Sequence, residues 1–269
     1  MNSLIIGNTS QLSYYFPKEY VRVSSRNLDI DKLKDQNWDR VFICLGESRK
    51  FIKDLKVYDE VNFYLTLKII DELKEISRKV IVYSTCELWN QYDGQISLSD
   101  NFNFYTTPYL QSKYKISKYI IDNKEDYSNV IILYPFNFNS IRRDSNFLFG
   151  KIFSSIMEKK MIEIGDTYFY RDIVHPNFVV QQSIKSTDHK IIGSGRLIFV
   201  NDFIRDLYKN FNMNYDDYVV ENISKYNEYE KRKEYYLKSH SNLYTYENLL
   251  IDTINDLKNY ENTRVRLEC

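Results

Sequence analysis

Three short stretches of this 269-residue chain carry the side chains best suited to chemistry. The first is Ser84-Thr85-Cys86-Glu87, followed 24 residues after Thr85 by Tyr109 and then Lys113. Residues four apart on a helix share a face, so Tyr109 and Lys113 can reach one site. An ammonium beside a phenol favours the phenolate and brings its pKa towards the working pH, which makes the tyrosine a usable base. Thr85 closes an apolar run and can hydrogen-bond the same substrate hydroxyl. Tyr and Lys are common here, and Tyr114 with Lys118 repeats the spacing, so the pair alone does not select itself. The second stretch is Gly7-Asn8-Thr9-Ser10-Gln11-Leu12-Ser13, after the apolar run Leu4-Ile5-Ile6. A glycine turn from a first strand into a helix is where dinucleotide folds hold a pyrophosphate on backbone N–H groups. The usual fingerprint has three glycines. Here Gly7 stands with Ser10 and Ser13 in the other two places, and a strand followed by a plain polar turn reads the same way. The third stretch, Ser24-Ser25-Arg26, ends a second apolar run. An acid there would bond a ribose 2′-OH, whereas arginine accommodates a 2′-phosphate, so NADP is favoured over NAD.

Apolar runs that alternate with amphipathic segments must position these residues. Strands are expected at Leu4–Ile6, Tyr20–Ser24, Val41–Leu45, Val80–Tyr83 and Val130–Tyr134. Continuous β-branched runs suit a parallel sheet buried on both faces. Between them, Val61, Leu65, Ile69, Leu73 and Ile76 recur at helical spacing within Tyr58–Ile76, and Lys113–Ile121 also reads as helix. This is the rhythm of the α/β class, a Rossmann-type doubly wound parallel sheet. After Pro135 the rhythm breaks. Helices are expected at Phe147–Met157, Phe178–Ser186, from Asn201 onward and at Glu247–Leu257, with short strands at Met161–Ile164, Ile191-Ile192 and Leu197–Val200. The division expected is a dinucleotide-binding domain over 1–140 and a smaller C-terminal substrate-binding lobe over 141–269, part of 162–200 returning to the sheet. In open α/β sheets the ligand lies outside the carboxyl ends of the strands.

Composition narrows the function. Thirty-seven basic residues balance 37 acidic ones, which excludes a general nucleic-acid binder. No apolar run approaches the ~18–20 residues of a membrane span, so no membrane partner is expected. Three cysteines, Cys44, Cys86 and Cys269, are far apart and read as reduced thiols of a cytoplasmic protein. With His175, His189 and His240 they lack ligand-like spacing, so no metal is expected. The chain has 7 Gly and no Ala, so Ser, Asn and Cys stand where small residues are needed in tight sites.

Taken in order, the Gly7 turn, Leu28-Asp29-Ile30, Phe42–Gly46, Val61-Asn62, Ser84-Thr85, Tyr109-x-x-Ser-Lys113, Tyr134-Pro135 and Arg171-Asp172 resemble an extended short-chain dehydrogenase/reductase over almost the whole chain. The family comprises nucleotide-sugar epimerases, dehydratases and reductases. The spacing from Thr85 suits it and selects Tyr109 over Tyr114. Ile162–Ser183, the Gly193-Ser194-Gly195 turn before Asn201–Leu207, and the charged segment Glu230–Leu237 also fit its pattern. The resemblance implies Thr85, Tyr109 and Lys113 as the catalytic set, with Lys113 also bonding the nicotinamide ribose. It implies Gly7, Ser10 and Ser13 along the cofactor pyrophosphate; Gln11 and Leu12 of the same turn, and Ser25 and Arg26 at the second strand's tip, are also expected to bind the cofactor. Asp29 and Ile30 would contact the adenine, and Leu45 and Gly46 the cofactor's inner half. Asn137 would meet the substrate, and Arg171 would clamp the diphosphate of a nucleotide sugar, a bidentate task that suits guanidinium. A surface ion pair is the plain reading of Arg171-Asp172. The family often forms homodimers, and by that resemblance the helices Tyr58–Ile76 and Lys113–Ile121 would build such a contact.

The chain departs from the pattern at three points. Serines replace two fingerprint glycines, and a Cβ there hinders approach of the pyrophosphate. Leu88-Trp89-Asn90 replaces the usual Val-Tyr-Gly, and the lobe is short. Thr85-Cys86-Glu87-Leu88 resembles the Thr-Ser-Glu-Leu of GDP-mannose 4,6-dehydratases, which makes Glu87 a candidate base. The front of the chain, with Gln11-Leu12 in the turn, is more similar to dTDP-4-dehydrorhamnose reductases, which use NADPH. The expectation is therefore an NAD(P)-dependent epimerase, 4,6-dehydratase or 4-keto reductase acting at sugar C4 in surface-polysaccharide precursor synthesis. The alternative is a non-catalytic member that binds a nucleotide sugar or a protein.

Overall fold

The computed structural model describes residues 2–49, 52–90, 92, 94–104, 107–222 and 237–268. Residues 230–236 of the charged segment and the thiol of Cys269 lie outside this set. Six strands form one all-parallel sheet: β1 (Ser3–Ile6), β2 (Val21–Val23), β3 (Arg40–Ile43), β4 (Val80–Tyr83), β5 (Val130–Pro135) and β6 (Lys190–Ile192). Their order is β6-β5-β4-β3-β1-β2. Every residue of β1, β4 and β5 is buried. Successive side chains of a strand point to opposite faces, so both faces are covered, as the β-branched runs require. The direction of winding reverses between β1 and β3, the switch point where open sheets of this kind place ligands.

The chain divides into two compact units. The first comprises Met1–Gln91, Ser97–Phe136 and Val179–Ile192 and holds the sheet. Its helices include α1 (Ile30–Lys34), α2 (Leu55–Tyr58), α3 (Thr66–Leu73) and α4 (Pro108–Asp122). Between α2 and α3, Asp59–Leu65 winds as a π-helix, so the amphipathic stretch expected as one regular helix changes its winding in the middle. Thr107 caps α4 by accepting the Leu110 N–H on Oγ1 at 3.2 Å, and Pro108 occupies the first turn, where its missing N–H costs nothing.

The second unit comprises Tyr92–Ile96, Asn137–Phe178 and Gly193–Cys269. Its described residues include three two-stranded pairings: Asn137–Phe138 with Ile173–Val174, Ile162–Ile164 with Val219–Glu221, and Tyr170–Arg171 with Ile198–Phe199. Helices Leu148–Glu158 and Val200–Asn210 pack through Phe149, Phe153 and Phe203, and Tyr208 Oη donates to Ser155 Oγ at 2.7 Å. Gly195 is obligatory. It has φ +73°, and a Cβ would fall 1.5 Å from the Ser241 carbonyl oxygen. No helix among the described residues is long and apolar enough to cross a membrane.

Candidate active site

At the tips of β3 and β4 and the first turns of α4, Lys113 lies beside Gly46 and the Tyr83 carbonyl. Lys113 is only 7% exposed. Its Nζ donates to the carbonyl of Tyr83, the last residue of β4, at 2.8 Å. Among the described residues it has no ion-pair partner, and burial without a counter-charge pushes its pKa down to about 8. Gly46, three residues beyond β3, flanks the ammonium: a Cβ built there would lie 3.5 Å from Nζ and 3.4 Å from Asn62 Oδ1. Tyr109 opens α4 one turn before Lys113 and is half-buried, its ring edge-on to Tyr58 at 6.2 Å. Thr85 is buried just past β4, and its Oγ1 accepts the Glu87 N–H at 3.2 Å. Glu87 lies half-buried on the 3₁₀ turn Cys86–Trp89. The overlapping pair goes elsewhere. Tyr114 packs on Phe102 and Phe104, and exposed Lys118 pairs with Asp122 at 2.5 Å.

Two buried side chains outside the expected set tie this corner together. Asn62, 1% exposed in the π-helix, accepts the Glu47 N–H on Oδ1 at 2.8 Å. Its Nδ2 donates to the Glu47 carbonyl at 3.0 Å and to Ser112 Oγ at 2.9 Å. Ser112 Oγ in turn donates to the Tyr109 carbonyl at 2.7 Å. The loop after β3 and the first turn of α4 are thus joined through one amide. Val61-Asn62 was visible as a family motif, and a polar residue on an apolar stripe is the signal that marks Asn62. Its reach across to Ser112 depends on the π-helix, which is a frequent feature of functional sites and has no composition cue.

The first crossover corrects an expectation. No helix follows β1. The 14 residues 7–20 contain only the 3₁₀ turn Ser13–Tyr15 before β2. The anion site at a helix N-terminus is therefore missing, and the plain polar turn is what the chain forms. Ser10 Oγ accepts the Ser13 N–H at 3.1 Å, and Ser13 Oγ donates to the Asn8 carbonyl at 3.0 Å. Pro17 has no N–H to continue an α-helix onto the Ser13 carbonyl. Arg22 of β2 takes over. Its guanidinium donates to the carbonyls of Ser13, Phe16, Pro17, Lys18 and Tyr20 at 2.8–3.4 Å. Gly7 has φ +101°, and a Cβ there would meet Leu45 N at 2.9 Å. Gln11 lies half-buried and Leu12 buried in this turn.

At the tip of β2, Ser25 is half-buried and Arg26 exposed, the Arg26 N–H donating to Ser24 Oγ at 3.1 Å. Asp29 caps α1, accepting the Lys32 N–H at 3.4 Å and pairing with Lys32 Nζ at 3.3 Å, and Ile30 begins the helix. Leu45 is half-buried beside Gly7. Asn137 and Arg171 belong to the second unit. The Arg171 guanidinium lies 4.7 Å from the Phe169 ring, with Nη1 donating to the Tyr170 carbonyl at 2.8 Å. It forms no surface pair with Asp172. That carboxylate is buried and accepts from Ser194 N, Ser194 Oγ, Gly195 N and Ser239 N at 2.7–3.1 Å. Burial raises its pKa against the pull of these four bonds.

No family model and no curated protein matches the chain by sequence. Solved structures match it along nearly its full length. RMD from Pseudomonas aeruginosa complexed with NADPH shares 14% identity, covering 96% of this chain and 100% of that one, with TM-score 0.76. UDP-glucose 4-epimerase from Thermotoga maritima with UDP-glucose shares 14%, covering 97% and 99%, with TM-score 0.77. The chain has their fold. ADP-L-glycero-D-manno-heptose-6-epimerase from Helicobacter pylori, at 14% identity, 96% of both chains and TM-score 0.74, shares it too. The Rossmann-type parallel sheet read from the sequence is the sheet found.

Proposed function

We propose that this protein is an NAD(P)-dependent enzyme of the short-chain dehydrogenase/reductase type that acts on a nucleotide-diphosphate sugar. The observation that carries the reading is the buried Lys113 ammonium at the tips of β3 and β4, one helical turn from Tyr109 and next to the strand that leads into Thr85. The neighbours' cofactors and substrates, NADPH in one and UDP-glucose in another, support the same chemistry. The donors at this corner fit the ribose of a nicotinamide dinucleotide. A lysine ammonium has three N–H bonds, one of which goes to Tyr83, and glycine at 46 leaves its flank without a side chain. Lys113, Gly46 and Leu45 would hold that end, with the Gly7–Leu12 turn facing the diphosphate. The dinucleotide, when bound, supplies or takes up a hydride.

The chain's own residues do the rest. Lys113 holds its positive charge near the Tyr109 phenol, which then takes or gives the proton of the sugar C4 hydroxyl, and Thr85 bonds that oxygen. Glu87 is the candidate second base for an elimination next to C4. Asn137 and Arg171 would receive the sugar and the diphosphate. Incubation of purified protein with a panel of nucleotide sugars and each cofactor, read by mass spectrometry, tests the reading. Loss of water indicates a dehydratase, gain of two hydrogens a reductase, and an isobaric product an epimerase. A Tyr109→Phe variant should lose on the order of 10²–10⁴-fold in rate. Undiminished activity in that variant sinks the mechanism.

One observation favours a second reading, a non-catalytic protein of the same fold: the helix that would face the diphosphate is missing. Complete failure to bind either dinucleotide would select it.

A further inference from the structure

We propose that this protein holds its dinucleotide mainly by the nicotinamide-ribose half, and that the diphosphate and adenosine half adds little affinity. The inference rests on the reading above that a dinucleotide binds.

The two ends of the crevice offer different things. At the first crossover the usual diphosphate anchor is a helix N-terminus, with unpaired N–H groups and the positive end of a macrodipole. Here that helix is replaced by a three-residue 3₁₀ turn. Four of the turn's N–H groups are already bonded within the protein. The N–H groups of Gly7 and Asn8 both go to the Val23 carbonyl at 3.0 and 3.2 Å, that of Ser10 goes to Gly7 O at 3.0 Å, and that of Ser13 goes to Ser10 Oγ. Arg22 of β2, beside this turn, has its guanidinium on five backbone carbonyls. At the adenosine end, Asp29 is engaged by Lys32, and Arg26 is an exposed charge, the kind that water and salt screen to little net worth. At the other end, the buried Lys113 ammonium has donors beyond its bond to Tyr83 and no counter-ion among the described residues. A ribose hydroxyl placed there meets a desolvated cation, where a charge-assisted hydrogen bond is strong.

Calorimetric titration of the full-length protein tests this with NADPH, NADH, reduced nicotinamide mononucleotide, ADP-ribose and 2′-phospho-ADP-ribose. The mononucleotide should bind within about tenfold of the better dinucleotide, while both ADP-riboses bind at least ~100-fold more weakly than it. Lys113→Met should abolish mononucleotide binding, and Arg26→Ala should change NADPH binding less than about threefold. A mononucleotide more than about tenfold weaker than the dinucleotide, or an ADP-ribose as tight as the dinucleotide, overturns the inference and leaves the enzyme reading standing. Failure of both dinucleotides to bind removes the inference and that reading together.

Discussion

The turn after β1 and the corner where β3, β4 and α4 meet both lie at the carboxyl edge of one sheet, and they treat their polar groups in opposite ways. In the turn several polar groups are bonded within the protein. Ser10 Oγ accepts the Ser13 N–H, Ser13 Oγ donates to the Asn8 carbonyl, and Arg22 caps five carbonyls. At the corner a lysine is buried with one carbonyl for company, and its depressed pKa records the cost of that desolvation. A structural region minimises its unsatisfied donors. A working site tolerates them, because a ligand completes them later. The corner thus keeps a buried donor in reserve, while the turn binds much of its own backbone.

The sharpest way to break this contrast is to neutralise the lysine. Lys113→Met should cost on the order of 10²–10⁴-fold in rate. It should also raise stability near pH 7, by up to about 3 kcal/mol in chemical denaturation, since the native state no longer buries an unpaired charge. The sign follows from linkage. The folded-state pKa of about 8 lies below the unfolded value, so between these values the unfolded chain binds more protons, and wild-type stability rises as pH goes from 8 towards 10.5. Activity moves the other way, falling above pH 8 as the ammonium is lost. A Lys113→Met protein that is both inactive and less stable would place the lysine in the scaffold.

Arg22 tests the other side. Arg22→Ala strands several carbonyls and should destabilise by roughly 3 kcal/mol, while Arg22→Lys restores less than half, because an ammonium cannot span a five-carbonyl fan. The thermal midpoint measures both. Between the two regions, Ser112→Ala removes the link from Asn62 to the Tyr109 carbonyl. It should reduce kcat by about tenfold with KM nearly unchanged, since it shifts the position of a reacting group without removing one. The smallest effect belongs to His189, whose Nδ1 accepts the Ile132 N–H of β5 at 3.0 Å. Burial lowers its pKa although Asp188 lies nearby. The neutral ring is the bonded form, so stability is full above the unfolded-state pKa and is lost as pH falls through it. Stability should be lower at pH 5 than at pH 7.5 through this residue, as unfolding at the two pH values would show, and His189→Asn, which keeps an acceptor in place, should flatten the difference.

Much of the scaffold was legible in the chain. The β-branched runs at 80–83 and 130–134 fall in the buried strands β4 and β5, because only a strand covered on both faces accepts such residues at every position. Tyr109 and Lys113 were placed on one helix by Pro108 and by their spacing. The absent first helix was not legible. Gly7 and the serines after it read like a fingerprint, and the contrary signals, Pro17 and a β-strand arginine, gain meaning only when Arg22 lies within reach of five carbonyls distant in sequence by two to nine residues.

Sequence by itself determined the order of the sheet strands along the chain, the apolar faces and the residue types at the strand tips, since these follow from local periodicity and propensity. Only the folded chain decided which of the two equally spaced lysines is buried, which asparagine joins the loop after β3 to α4, and that a 3₁₀ turn stands after β1. Burial and hydrogen-bond partnership depend on what lies across space, and spacing along a chain carries no direct record of that.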